Sequence, residues 1–163
     1  MAPLLQVREC NPQCDDAISL LAEAAVEASL LYPEFHDPSA PGPTNQANLS
    51  RGIYLVAYIG EEPVGMAAHR PIDASTTEVR RMYVKKEARR GGIARALLKR
   101  LEEHARSVGF THLLLETGNR QVPAIELYRQ CGFMQIEPFG QYRDDPTSVC
   151  FKKAIHVHTA SAA

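Results

Sequence analysis

The stretch from residue 78 to residue 109, EVRRMYVKKEARRGGIARALLKRLEEHARSVG, restricts the fold more than any other part of the chain. It reads as a short apolar strand, then a basic turn containing Gly91 and Gly92, then a helix that starts directly after the turn. Ile93, Leu97, Leu101, Ala105 and Val108 recur at three- and four-residue steps, while Arg95, Lys99, Glu102, Glu103 and Arg106 fall on the opposite face. Gly109 supplies a stop. The first backbone N–H groups of such a helix have no intrahelical partner, and the helix dipole adds partial positive charge beside them. A diphosphate fits that place. Gly91 and Gly92 carry no Cβ to keep a ligand off the main chain. Arg89, Arg90 and Arg95 add forked donors matched to phosphate oxygens. Neither GxGxxG nor GxxxxGK[ST] occurs in the chain, so the turn is not a dinucleotide fingerprint or a P-loop.

The charge distribution points to the same segment. Net charge is −1, yet residues 1–79 hold 3 basic and 11 acidic side chains, while residues 80–163 hold 15 and 8. Nine of the basic residues lie between Arg80 and Arg100, against one acid, Glu87. A nucleic acid would call for such charge spread over a face and interleaved with aromatics. Here it is centred on one turn, which suits a small polyphosphate ligand. No apolar run approaches the roughly 20 residues of a membrane span, and MAPLLQVREC does not read as a signal peptide. Cys10, Cys14, Cys131 and Cys150 form no CxxC pair and read as reduced thiols. The expectation is a cytoplasmic protein. With 163 residues the chain is expected to form one domain over 1–155, followed by a flexible tail at 156–163.

Along the chain, Leu4–Arg8 reads as a strand. Asp15 or Asp16 caps a helix whose expected apolar face is Ile18, Leu21, Ala22, Ala25, Val26, Leu30 and Leu31. Residues 33–44, with Pro33, Pro38, Pro41 and Pro43, read as a loop that lines the acceptor side of a site. Three strands follow in a meander, 52–59, 64–70 and 77–84. After the long helix, THLLLET (111–117) reads as a strand buried on both faces. Pro123 opens a short helix that Gly132 ends, and 133–136 and 148–152 close the pattern. The fold class is α/β of the α+β type, a central mixed, mostly antiparallel sheet flanked by helices.

Two motifs in this order carry a resemblance. Arg89-Arg90-Gly91-Gly92-Ile93-Ala94 is similar to the [QR]-x-x-G-x-[GA] turn of the GCN5-related N-acetyltransferases, the GNAT family. Gln121-Val122-Pro123-Ala124-Ile125-Glu126-Leu127-Tyr128, continuing to Gly132-Phe133, resembles that family's N-x-x-A-x-x-L-Y-x-x-x-G-F, with Gln121 in place of the asparagine. The resemblance implies an acetyl-CoA-dependent N-acetyltransferase acting on a primary amine. It implies that the turn through Arg95 holds the pyrophosphate, and that Met82, Tyr83 and Val84 pair with the pantetheine arm. A neighbouring amide would polarise the thioester carbonyl. Tyr128 matches the tyrosine that protonates the departing thiolate. An ammonium ion must first lose a proton, and Glu116, twelve residues before Tyr128, is the first candidate base. That spacing resembles the glutamate–tyrosine pair of the family's ribosomal-protein N-terminal acetyltransferases. Glu78 is the second candidate, with a salt bridge to Arg80 or Arg81 as its structural reading. Tyr142, Asp144 and Asp145 either line an amine pocket or form a polar surface loop.

Three matters stay open at this level. The acceptor is a small molecule or a peptide or protein N-terminus. A non-catalytic acyl-CoA-binding module on the same fold is the alternative function. A homodimer is compatible with the sequence, which specifies no interface. No histidine spacing supports a metal, so none is expected. Cys131 falls where a helix ends, which disfavours a thiolate nucleophile.

Overall fold

The computed structural model describes residues 3–155; the tail expected at 156–163 lies outside them. The elements are β1 (Leu5–Glu9), α1 (Asp15–Leu31), β2 (Ile53–Ile59), β3 (Glu62–Pro71), β4 (Thr76–Val84), α2 (Ile93–Ser107), β5 (His112–Gly118), α3 (Val122–Gln130), β6 (Met134–Ile136) and β7 (Ser148–Ala154). They form one seven-stranded sheet in the order β1-β2-β3-β4-β5-β7-β6. Only β4 and β5 run parallel, joined through α2, and every other neighbouring pair is antiparallel. The expected mixed sheet and its element order are present.

The faces of the sheet are covered unequally. Beneath α2 and α3 lies the larger core, with Leu97 and Leu101 of α2 packed among Ile53, Leu55, Leu113, Leu115, Phe110 and Phe151. The other face has a smaller core, in which Ala17, Leu20 and Leu21 of α1 meet Tyr54, Val56, Tyr58, Met66 and Ala68 of β2 and β3. The face expected for α1 is therefore corrected. Leu21 is buried, but Ile18, Val26 and Leu30 are 49%, 61% and 77% exposed. The helix is apolar most of the way round, so its spacing alone does not say which narrow strip meets the sheet. Its N-cap is also not an aspartate: Cys14 Sγ accepts from Ala17 N at 3.4 Å, and Asp15 and Asp16 occupy the first turn.

The reading of β5 as buried on both faces also fails. Leu113, Leu115 and Thr117 are buried, whereas His112, Leu114 and Glu116 are only partly covered. The reason is architectural. The buried residues of the smaller core come from α1, β2 and β3, with Tyr83 of β4 at its edge, and among the described residues none of β5 belongs to it. The half-exposed row of β5 borders the candidate site.

Candidate active site

The parallel strands β4 and β5 stay together for four residue pairs and then part. Their register ends at Val79↔Leu115, although β4 continues to Val84 and β5 to Gly118. Backbone groups of residues 80–84 that face β5 consequently have no strand partner among the described residues. A bulge adds to the parting. Met66 pairs with Tyr83 but Ala68 with Arg80, so Arg81 and Met82 together oppose Ala67, and Arg81 takes a left-handed φ of 61°. A free strand edge inside a sheet is a template for an extended ligand. After the bulge Met82 packs into the larger core and Tyr83 into the smaller one. Val84 is nearly buried.

Past β4 a 3-10 turn (Lys86–Ala88) leads to Arg89, Arg90, Gly91 and Gly92. Gly92 opens α2 at φ 80°, a conformation glycine adopts without strain. Ile93 is buried and Ala94 half-buried, so both anchor the first turn to the core and leave its amides outward. The arginines differ in their engagements. Arg89 is held: Nε donates to Val84 O at 2.9 Å, and Nη2 meets Glu27 of α1 at 2.6 Å. Arg95 donates to Gln130 and, at 3.5 Å, to Cys131 Sγ. Arg90 is exposed and has no side-chain partner among the described residues. Gln121 sits at the N-cap of α3 without a side-chain capping bond.

Glu116 stands where the two strands separate. Ser148 Oγ donates to its Oε2 at 2.8 Å. Burial pushes its carboxyl above the usual carboxylate range, with Asp145 and Glu78 reinforcing the rise while Ser148 and Arg80 oppose it. The salt-bridge reading of Glu78 is corrected. Among the described residues it forms no ion pair with an arginine; instead Tyr142 Oη donates to its Oε2 at 2.7 Å. The bulge turns Arg81 away, toward Asn45. Tyr142 itself is pushed up to about 12, by burial first and by Glu78 second. The segment between β6 and β7 thus folds over this face and brings a half-buried Tyr142 to Glu78. Asp145 is exposed and bonded to Thr147; among the described residues Asp144 shows no comparable contact.

Tyr128 belongs to the other face of the sheet. It is 4% exposed, with its ring 5.7 Å from Phe133 and 6.1 Å from Phe151. Among the described residues no buried polar atom lacks a partner, so the small exposed part of Tyr128, whose hydroxyl is unbonded, includes that oxygen. Burial raises its pKa, and the charges of Cys131 and Glu116 add to the effect. The acid candidate thus lies on the α2–α3 face and the base candidate on the opposite one, close enough for the charge of Glu116 to act on Tyr128.

Several contributors carried no signal in the sequence. Asn45, 8% exposed, donates to Pro12 O at 2.9 Å and Tyr54 Oη at 3.1 Å and accepts from Arg81 Nε at 3.0 Å. It fixes the end of the proline-rich connection to the sheet. Tyr32, at the end of α1, accepts from Arg120 N at 2.8 Å, and Arg120 lies over its ring at 4.7 Å. Gly118 makes room for that contact, because a Cβ there would sit 2.0 Å from Tyr32 Oη. Ser148 is found only through the β5–β7 register.

The family comparison agrees with this geometry. The model of the acetyltransferase (GNAT) family matches residues 21–133, and the chain belongs to that family. It is 49% identical over 78 residues to an IAA acetyltransferase of Azospirillum brasilense, covering 48% of this chain and 51% of that one. The chain thus spans about half the length of that curated relative. Among solved structures, a Klebsiella pneumoniae protein assigned as an acyl-CoA N-acyltransferase aligns with a TM-score of 0.75 at 29% identity, over 94% of this chain and 99% of that one. A GNAT acetyltransferase of Elizabethkingia anophelis with acetyl-CoA bound shares the fold, with a TM-score of 0.67 at 18% identity over 92% and 97%. Among the described residues no helix is long and apolar enough to cross a membrane, and no cluster of potential metal ligands occurs.

Proposed function

We propose that residues 1–155 form one N-acetyltransferase domain that moves the acetyl group of acetyl-CoA to a primary amine by direct attack. The observation that supports this reading is the parting of β4 and β5 beyond Val79 and Leu115, with Glu116 next in β5 and its charge acting on Tyr128. The open edge of β4 at Met82, Tyr83 and Val84 pairs with the pantetheine arm. The amides of the turn from Arg89 to Arg95 receive the pyrophosphate, and Arg90 is the arginine most available to it. Gln121 lies at the mouth of the same opening. The acetyl-CoA held by the Elizabethkingia protein supports this assignment of the co-substrate.

Glu116 takes the proton of the ammonium form of the acceptor, and its raised pKa makes it a better base than an ordinary surface carboxylate. The freed lone pair attacks the thioester carbonyl carbon, the C–S bond breaks to release a thiolate, and the nitrogen gives up its second proton to solvent, leaving the neutral amide; a solvent proton later restores Tyr128 after it has protonated the thiolate. Tyr128 is protonated at neutral pH because its pKa is raised, so it can give its proton to the thiolate. Glu78, held by Tyr142, is the second carboxylate of the site and the fallback base.

Thiol release from acetyl-CoA, followed with a panel of polyamines, amino acids and short peptides, tests the reading. Tyr128→Phe and Glu116→Gln should each slow amine-dependent release roughly 10²-fold or more. Glu116→Gln should at the same time raise the thermal midpoint at neutral pH. The folded-state pKa of Glu116 lies above its unfolded value, so the ionised carboxylate weakens the fold at pH above both. Tight acetyl-CoA binding with no release from any amine would favour the non-catalytic module instead.

A further inference from the structure

Resting on the N-acetyltransferase reading, we infer that the acceptor amine carries an anionic group, a carboxylate in the first place, which Arg80 receives. The inference starts from a cavity of about 110 Å³ on the α1 side of the sheet. Residues 44–49 roof it, Tyr54 and Ala68 form part of its floor, and Arg70, Arg80 and Arg81 line it together with no carboxylate. Its shape is set before any ligand arrives, because the hydrogen bonds of Asn45 hold the roof to Pro12, Tyr54 and Arg81.

Among the described residues none of the three guanidinium groups forms an ion pair with a carboxylate. Arg81 donates to Asn45 Oδ1 and, at 3.1 Å, to Thr44 O, both uncharged acceptors. Arg70 donates to the side-chain oxygen of Gln46, also uncharged. Arg80 has neither a hydrogen bond nor an ion pair from its side chain among the described residues. All three side chains are partly buried. Partly desolvated cations gathered without a counterion are costly, and a bound anion relieves that cost. Burial and the neighbouring charge of Arg80 also depress the pKa of Arg81, as expected for a cationic pocket awaiting an anion.

Its position relates the pocket to the chemistry. Glu78 and Arg80 are two residues apart on β4, hence on one face and roughly 7 Å apart along the strand. Both have the register of that face: Arg80 opposite Ala68, Glu78 opposite Arg70. The charge of Arg80 acts on Glu116 and on Tyr142 as well. Carboxylates that take an ammonium proton therefore stand next to a cation that takes an anionic oxygen. That polarity complements an amino acid or a similar ampholyte and opposes a polyamine, whose second charge would meet Arg80. The small volume admits a carboxylate with a few further atoms and excludes a folded peptide segment.

The test compares matched acceptors in the thiol-release assay. Each of the common amino acids is set against its carboxamide, which keeps the amine and removes the negative charge, and aminoalkylphosphonates distinguish a phosphate-like anion from a carboxylate. At least one acid should exceed its amide by about 10-fold in kcat/KM, the scale of one charge-assisted contact. Arg80→Gln should collapse that ratio through the KM of the acid, with acetyl-CoA affinity by calorimetry unchanged, and Arg80→Lys should restore part of it. Amides or polyamines matching the acids throughout, or Arg80→Gln slowing acids and amides equally, would overturn the inference while leaving the acetyltransferase intact. Preference for phosphonates alone would replace the carboxylate by a phosphate group. Acetyl-CoA binding without release from any acceptor would instead remove the enzymatic reading itself, and this inference with it.

Discussion

The two faces of the sheet divide the work of the molecule. On the α2–α3 side the contacts are apolar and extend from Ile53 to Phe151, with a buried centre and a partly buried rim. On the α1 side the buried apolar residues come from α1, β2 and β3, with Tyr83 of β4 at their edge, and the continuation of that face over β4, β5 and β7 carries Glu78, Arg80, Glu116 and Ser148. The first face supplies stability, while the second spends some of it to keep a carboxylate and an arginine poorly solvated. Tyr128 is the polar side chain of the first face, buried against Phe151, on which the proposed proton donation rests.

Substitutions should separate the faces. The largest stability effect is expected for Phe110→Ala, since Phe110 is fully buried, packs edge-on to His69 and lies under the Arg51 guanidinium at 3.9 Å. A loss of about 3–5 kcal/mol in denaturant unfolding would fit the removal of such a ring; a loss below about 1 kcal/mol would mean the α2 side is not the main core. Gly118→Ala comes next. The added methyl must displace Tyr32, so the end of α1 shifts at a cost of about 1–3 kcal/mol, with weaker amine turnover measured alongside. Unchanged turnover would show that the α1 end does not bear on the site.

Acid should reveal a polar inclusion within the stable face. His69 bonds to Thr77 Oγ1 and to His104 Nδ1, each at 2.8 Å, and burial holds its pKa at about 3, against 6.5 for a free imidazole. The unfolded chain takes up the proton first. The pair is therefore fully accommodated above about pH 6.5, and stability is lost steadily as pH falls below it, which thermal melts between pH 7.5 and 4 would record. A flat midpoint over that range would refute the assignment. The smallest effect is expected on the outer face of α1. Val26→Lys should change stability by no more than about 0.5 kcal/mol, because Val26 is largely exposed. A large loss there would mean that the strip is covered in solution.

The donor side of the site was legible in the sequence because it is local. The strand, turn and helix from 78 to 109 are written as an alternation of periods, and Pro123, Tyr128 and Gly132 follow at fixed offsets. The helix face of α2 was read nearly as it packs, with Leu98 added. The acceptor side was not legible, since its contacts join distant segments. Tyr142 reaches Glu78 across 64 positions, and Arg120 N reaches Tyr32 across 88. Neither follows from any local pattern; both depend on strand register and on how a loop crosses the sheet. The face of α1 was misread for a related reason. An almost uniformly apolar helix gives no periodic contrast, and the strand it meets decides which strip is buried.

The Asn45 node implies a division between reception and selection. The proposed donor parts lie within residues 82–128, whereas the roof at 44–49 and the crossing segment at 137–147 come from outside that run, and the crossing segment lies beyond the residues that the family model matches. Exchanging those two segments between relatives is then a graft: the host keeps its affinity for the activated acyl carrier and inherits the guest's taste in nucleophiles, provided the asparagine that pins the first graft travels with it.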